Sequence, residues 1–141
     1  MQNVLVAVDG SPCAQRAVAW VGRTLGRQSG VQVHLLNVQP AIATWEVTSH
    51  PGSSEAARWQ AAASVAVLEP AATTLRTAGA AVSTHARVGE VATTIADVSR
   101  DLRCDAIVMG TRGLGAVRSL LLGSTATKVI QLADVPVTLV K

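Results

Sequence analysis

Short, valine-rich apolar runs alternate along the whole chain with longer segments of helical periodicity, and this alternation restricts the fold more than any other feature. Continuous apolar runs are typical of strands that are buried on both faces of a sheet. Strict alternation of strands and helices favours an α/β fold, an open Rossmann-like parallel sheet with helices on both faces. The five predicted strands cover residues 3–8, 31–38, 80–88, 105–110 and 135–141.

The segments between these runs carry the start and stop signals of helices. Ser11 is suited to be an N-cap and Pro12 to be the first helical residue. A long helix is predicted over residues 54–78 and is expected to be interrupted at Pro70, because proline has no N–H to donate. No repeat or long linker divides the sequence, so we expect one domain over residues 1–141. The other helices are predicted over 11–28 and 89–103 and within 119–133, and residues 39–53 are expected to form an irregular excursion.

Composition bounds the class of protein. The chain has 49% hydrophobic and 15% charged residues, which is typical of a compact globule. No apolar run approaches the roughly 18 residues of a membrane span, and the start of the sequence shows no export signal. Two cysteines are too few for a disulfide framework. These features together predict a cytoplasmic protein without a membrane span.

The positive charge is concentrated in one segment. Between residues 106 and 133 there are Arg112, Arg118 and Lys128 and no acidic residue. Basic segments often bind nucleic acid, but three cations in a chain without Phe or Tyr make a poor surface for it. A small ligand that carries phosphate fits better. No histidine or cysteine pair falls at metal-ligand spacing, so no metal site is expected.

The segment "GTRGLGAVRSLLLGST" follows the fourth predicted strand and begins at Gly110. Gly110 and Gly113 would let the backbone pass close to an anion, which side chains would obstruct. Gly123 and Ser124 would open a helix whose free N–H groups face that anion, and Ser124 and Thr125 add hydroxyl donors. The alternative is a mobile loop followed by a Ser-capped helix. The spacing matches neither a P-loop nor the dinucleotide-binding fingerprint.

This spacing, G-2x-G-9x-G-(S/T), resembles the ATP-binding motif of the universal stress protein (UspA-like) family, in its ATP-binding branch. The similarity extends from "VLVAVDGS" through "DAIVMGTRG" to "VPVTLVK". It implies the strand order 3-2-1-4-5, which makes the first and fourth strands neighbours. It also implies ATP as the ligand, accompanied by Mg²⁺.

The resemblance assigns the nucleotide-binding residues by position. It places the ends of the first two strands around adenine and ribose, and the end of the fourth strand and the glycine motif around the phosphates. Asp9 has a second interpretation, since an Asp before Gly-Ser-Pro can organise the turn into the first helix. The assigned residues are Ala7, Val8, Asp9, Val38, Met109, Gly110, Arg112 (at a variable position of the motif), Gly113, Gly123, Ser124 and Thr125.

The favoured function is that of an ATP-binding regulatory protein of the stress response, with no catalytic residue and at most slow ATP hydrolysis. One alternative is a nucleotidyl transferase or ATP pyrophosphatase on a related fold. Such enzymes carry "HxGH"-like or "SGGxDS"-like signatures after the first strand, where this chain has "DGSPCA". The other alternative is a nucleotide-free interaction module, which the intact glycine motif disfavours.

The apolar character and uncovered edge of the last predicted strand indicate a homodimer. The strand is apolar and no helix follows to cover its far side, and exposed flat edges of this kind tend to pair. In the resembling family the last strand pairs across a two-fold axis. Pro136 has no N–H, so pairing is expected to involve the residues after it. These residues are Val137, Thr138, Leu139 and Val140.

The remaining candidate residues have structural interpretations. The thiols of Cys13 and Cys104 are expected to be buried and inert, although a position in a first helical turn can lower a thiol pKa. Trp20 fits the core face of the first helix, whereas Trp45 and Trp59 are expected to be packing or rim residues. The three histidines are distributed over the chain, with His34 and His85 in predicted strands and His50 in the irregular excursion.

Overall fold

The computed structural model describes residues 1–41, 53–115 and 121–141. Within these residues the chain alternates between strand and helix as predicted. Most of the irregular excursion, with Trp45 and His50, lies outside the described residues, as does Arg118. The strands are β1 (Asn3–Ala7), β2 (Gln32–Gln39), β3 (Ala81–Val88), β4 (Ala106–Gly110) and β5 (Val137–Val140). The helices are α1 (Pro12–Leu25), α2 (Ser53–Thr77), α3 (Val91–Asp101) and α4 (Ser124–Leu132).

The strands form one parallel sheet in the order β3-β2-β1-β4-β5, which confirms the expected order. The central strand β1 pairs with β2 through Val4 and Val33 and with β4 through Val4 and Ala106. Val4, Leu5 and Val6 have no exposed surface, because neighbouring strands and helices cover β1 on all sides. The carboxyl ends of β1 and β4 therefore lie side by side, where parallel sheets form their ligand sites.

Helices cover both faces of the sheet, as predicted. Successive residues of a strand point to opposite faces, so Val4 and Val6 join one core and Leu5 and Ala7 join the other. The first core, which we call the α1–α2 core, receives the buried residues of those two helices, and Trp20 packs against it. The second core, the α3–α4 core, receives the buried residues of the other two. Trp59 is 77% exposed and belongs to neither core.

The predicted interruption at Pro70 is wrong, because α2 continues through it from Ser53 to Thr77. Leu68, Ala72 and Leu75 lie on both sides of Pro70 and are buried in the α1–α2 core at helical spacing. Their burial holds both halves of the helix on the sheet, since tertiary packing supplies most of the stability of a protein helix. Pro70 itself is exposed, so its ring points away from the core.

Replacing Pro70 with Ala should stabilise the protein, because the new N–H completes the hydrogen bonding of an already helical segment. We expect the free energy of unfolding to rise by about 1–3 kcal/mol, measured by urea denaturation. Pro40 provides the control, since it is exposed and lies outside the helices. Pro40→Ala should not produce this gain. If the free energy of unfolding of Pro70→Ala is unchanged or lower, the missing N–H of Pro70 does not limit the stability of α2.

Candidate functional site

A cleft of about 510 Å³ opens at the carboxyl ends of the central strands. The structure brings every residue of the predicted site to its walls, although contact with a nucleotide stays a prediction. These residues are Ala7, Val8, Asp9, Val38, Met109, Gly110, Arg112, Gly113, Gly123, Ser124 and Thr125.

The floor of the cleft is set by Gly110, where β4 ends against the first turn of α1. A Cβ at this position would lie 2.6 Å from Cys13 Cβ and 2.8 Å from the Cys13 carbonyl carbon. Such distances are far below van der Waals contact, and the Cys13 Cβ and carbonyl carbon are fixed by the backbone of α1, so they cannot move aside. Gly110 is therefore required for strand–helix packing, and not only for the approach of a phosphate as the sequence suggested.

Asp9 connects the end of β1 to the segment at the end of β4, residues 110–115, which we call the glycine loop. It does so through both carboxylate oxygens. Oδ1 accepts a hydrogen bond from the Ser11 N–H at 2.9 Å, which organises the turn into α1. Oδ2 accepts from the Leu114 N–H at 3.2 Å. Gly113 passes so close that a Cβ there would lie 2.6 Å from the same Oδ2. The turn-forming interpretation of Asp9 is thus realised, and the carboxylate also fixes where the loop runs.

The first turn of α4 faces the cleft without a capping side chain. In α1 the Ser11 hydroxyl accepts from the Ala14 N–H, and in α3 the Glu90 carboxylate accepts from the Thr93 N–H. The N-cap of α4 is Gly123, which makes no side-chain cap hydrogen bond. Its own N–H donates to the Thr111 carbonyl at 2.7 Å, which holds the helix end against the loop. The amides of this turn, with the positive end of the helix dipole, are suited to hold an anion.

Sequence reasoning missed Asn37, a buried polar residue in the cleft wall. Its Nδ2 donates to the Val8 carbonyl at 2.8 Å, which connects the carboxyl ends of β1 and β2. Its Oδ1 accepts from Ser64 Oγ at 2.9 Å and from Gln39 Nε2 at 2.8 Å. The signal was present in the sequence as a single amide inside the apolar run "VHLLNV". Such a residue must find partners when it is buried.

The prediction also missed residues that complete the walls. Some are apolar and extend the surface around Val38 and Met109, and others belong to turns next to predicted site residues. These further lining residues are Ser11, Ala14, Leu36, Asn37, Gln39, Pro40, Val91, Ile95, Thr111, Leu114, Gly115 and Ala126.

The thiol of Cys13 lies directly beneath the floor and is buried, as predicted. Burial raises its pKa, but hydrogen bonds with Thr111 and Arg112 and the charge of Arg16 together outweigh that effect and hold the pKa below its ordinary value. Arg16 Nη2 lies 3.1 Å from the sulfur. Burial raises the pKa of the Cys104 thiol to about 11.

No group of three or more His, Cys, Asp or Glu side chains in residues 1–41, 53–115 and 121–141 is placed to hold a metal ion. None of the helices in those ranges combines the length and the apolar character needed to cross a bilayer.

Comparisons with known proteins agree on one family. The sequence matches the model of the universal stress protein family over residues 1–141. A universal stress protein of Thermus aquaticus, named for the 3' region of QAH/OAS sulfhydrylase, is 32% identical over 148 residues. That match covers 99% of this chain and 98% of the relative. The chain spans about half the length of its mycobacterial relatives, 47% in each case.

Solved structures share the fold. The universal stress protein UspA from Lactobacillus plantarum has a TM-score of 0.78 at 26% identity, over 99% of this chain and 97% of that one. The universal stress protein from Archaeoglobus fulgidus in complex with dAMP has a TM-score of 0.64 at 25% identity, over 100% and 98%. The family match over the whole chain, with the shared sheet, shows that this protein belongs to the universal stress protein family.

Proposed function

We propose that the protein binds ATP in this cleft and acts as a nucleotide-dependent regulatory protein of the stress response. The observation that carries the proposal is the uncapped first turn of α4, which lines the cleft directly beside the glycine loop. Helix N-termini of this kind attract phosphate. The dAMP complex of the Archaeoglobus fulgidus relative supports an adenine nucleotide as the ligand class.

The two ends of the cleft differ in chemistry, as a nucleotide requires. One end is walled by apolar side chains, among them Val38, Ile95 and Met109. This end suits a flat, mostly apolar base. The other end offers the backbone of Gly113 and Gly123 and the hydroxyl groups of the α4 start. The volume of about 510 Å³ lies within the range of about 300–1,000 Å³ that is usual for small-molecule sites.

The residues present also fit the magnesium ion that accompanies ATP. Mg²⁺ is usually held by one or two carboxylates together with substrate phosphates. Asp9 is the carboxylate among the described residues that line the cleft, and the Ser124 and Thr125 hydroxyls lie at the phosphate end. Asp9 would hold the ion, which would neutralise phosphate charge when it is bound.

The described residues that line the cleft support slow ATP hydrolysis at most. Fast phosphoryl transfer needs a residue that positions water or accepts its proton, and cations that stabilise the γ-phosphate. The described lining residues include no His, Glu or Lys. Both oxygens of Asp9 already accept hydrogen bonds from the backbone N–H groups of Ser11 and Leu114. The carboxylate is therefore engaged in holding the loop, which makes it a poor general base.

Substituting Gly123 with Val tests the phosphate end. A Cβ at this position would lie 3.5 Å from Arg112 Cα and from the Thr111 carbonyl oxygen, so the fold tolerates it while ligand space is lost. We expect ATP affinity to fall by about 1–3 kcal/mol, or roughly 5- to 150-fold, in calorimetric titrations with magnesium. Gly123 is a cleaner target than Gly113, where a side chain would also displace Asp9.

A pair of isosteric variants on α4 provides the matched control. Thr125 lines the cleft, whereas Thr127 is exposed and does not. Thr125→Val should weaken ATP binding and Thr127→Val should leave it unchanged. Wild-type affinity in folded Gly123→Val and Thr125→Val proteins would place the phosphates elsewhere.

Steady-state phosphate release should be far below the roughly 10 per second of a typical enzyme, because the described residues that line the cleft offer no free base. The measurement is release of inorganic phosphate from ATP by the full chain with magnesium. Rapid phosphate release by the wild-type protein would contradict this expectation, and its loss in Asp9→Asn would show that the release depends on the Asp9 carboxylate.

We also propose that the protein is a homodimer through β5, the last strand in the sheet order. The Pro136 carbonyl accepts from the N–H of Ile107 in β4, and the Val140 carbonyl accepts from the N–H of Thr111, directly after β4. The backbone groups of Pro136 and Val140 therefore point inward. Backbone groups alternate in direction along a strand, and those of Val137 and Leu139 therefore point to the open edge. The backbone of Pro136 faces β4, so its missing N–H removes no donor from the open edge of β5. The absent N–H of Pro136 is therefore not the reason why pairing would begin at Val137.

Val137→Lys should reduce the proportion of dimer, because it places a charge on the pairing segment. Val135 is the control, since it packs against the same α3–α4 core but precedes β5. Light scattering at micromolar concentration should show a lower mass for Val137→Lys than for Val135→Lys. A monomeric wild-type protein would refute the dimer.

A further inference from the structure

Two histidines on neighbouring strands contact each other outside the cleft. In the parallel register of β2 and β3, His34 lies opposite Ser83 and His85 lies opposite Leu36. The two rings are therefore diagonal neighbours on one face of the sheet. His34 Nδ1 and His85 Nε2 are 3.0 Å apart, and the ring centroids are 5.2 Å apart at an angle of 42°.

Asn3 orients the first ring. Its side-chain oxygen lies 3.3 Å from His34 Nε2. An amide oxygen only accepts, so this contact places the ring proton on Nε2. The lone pair of His34 Nδ1 then points toward His85. Histidines that bind metals are held in this manner, with the nitrogen away from the ion donating to an oxygen.

The surroundings of both imidazoles lower their pKa. Burial lowers the pKa of His34. Burial also lowers the pKa of His85, and the neighbouring His34 and the charge of Arg87 lower it further. A lowered pKa favours the neutral imidazole, which is the form that binds metals.

We propose that His34 and His85 form a bidentate site for a divalent transition-metal ion, with Cu²⁺ preferred over Ni²⁺ and Zn²⁺. At metal–nitrogen bonds of about 2.0–2.1 Å, nitrogens 3.0 Å apart subtend an angle of roughly 94° at the ion. This is close to the right angle between adjacent ligands of a square-planar or tetragonal site, the geometry of Cu²⁺ and Ni²⁺. The general affinity order of nitrogen sites also places Cu²⁺ first.

Binding requires one proton to move within His85. In the hydrogen-bonded pair His34 Nδ1 accepts, so His85 Nε2 donates. When the ion binds, it lies to one side of the line between the two nitrogens, so both rings turn toward it. His85 then carries its proton on Nδ1, and both coordinating nitrogens offer lone pairs. The number of protons on the neutral pair is unchanged, and water completes the coordination of the ion.

This site is distinct from the proposed nucleotide site. Leu36 lines the cleft and is paired with His85, but neither histidine is among the cleft-lining residues. Metal binding should therefore not require ATP.

The test uses the full chain without an affinity tag. Calorimetric titrations with CuCl₂ and with NiCl₂ at pH 7.5 should each show one metal ion bound with high affinity per chain. The affinity should fall at least tenfold in His34→Gln and in His85→Gln. His50→Gln is the matched control, because it removes the remaining histidine of the chain and should leave the affinity unchanged. The electron paramagnetic resonance spectrum of the Cu²⁺ complex should indicate a tetragonal coordination geometry and show coupling to two nitrogens.

A second measurement needs no variant. In NMR spectra of the wild-type protein, substoichiometric Ni²⁺ should broaden the ring signals of His34 and His85 before those of His50. The proposal is refuted if the His34→Gln/His85→Gln double variant binds as tightly as wild type, or if His50→Gln loses as much affinity. Equal broadening of all three rings would refute it as well.

Discussion

The close approach of β4 to α1 at Gly110 is the contact on which the rest of the site depends. No other residue type fits there, because a Cβ would meet the Cys13 backbone. The approach brings the start of the glycine loop next to the turn after β1. At this separation the Asp9 carboxylate accepts a hydrogen bond from the Leu114 N–H. Ser11 Oγ also lies 3.5 Å from the Arg112 carbonyl oxygen. A packing requirement between a strand and a helix thus positions the glycine loop.

The hydrogen bonds of Asp9 mean that the described part of the loop is held in place before any ligand arrives. A preorganised loop loses less conformational freedom on binding, which favours affinity. The same bonds occupy the carboxylate and so reduce its use as a base. Asn37 plays a comparable part on the other side, since it fixes the Val8 carbonyl and thereby the end of β1. The polar groups around the cleft support a binding function more than a catalytic one.

Local signals predicted the elements well, since the observed strands begin and end within about two residues of the predicted ones. The strand order came from the resemblance, because periodicity does not contain it. Pro70 was misjudged because propensity is local, whereas the burial of Leu68 and Leu75 that keeps α2 continuous is a property of the whole core. Asn37 was missed for a similar reason, since its partner Ser64 is far away in the sequence.

One strand, β2, contributes to both sites proposed for this protein. Its alternation sends Val33 and Leu35 into the α1–α2 core, and the intervening residues to the other face. Along that other face the chain runs from His34, beside β3, through Leu36 to Val38 at the apolar end of the cleft. A shift of register by one residue would exchange the two faces and abolish both sites together. The apolar residues that secure the register of β2 therefore also determine where its functional side chains lie.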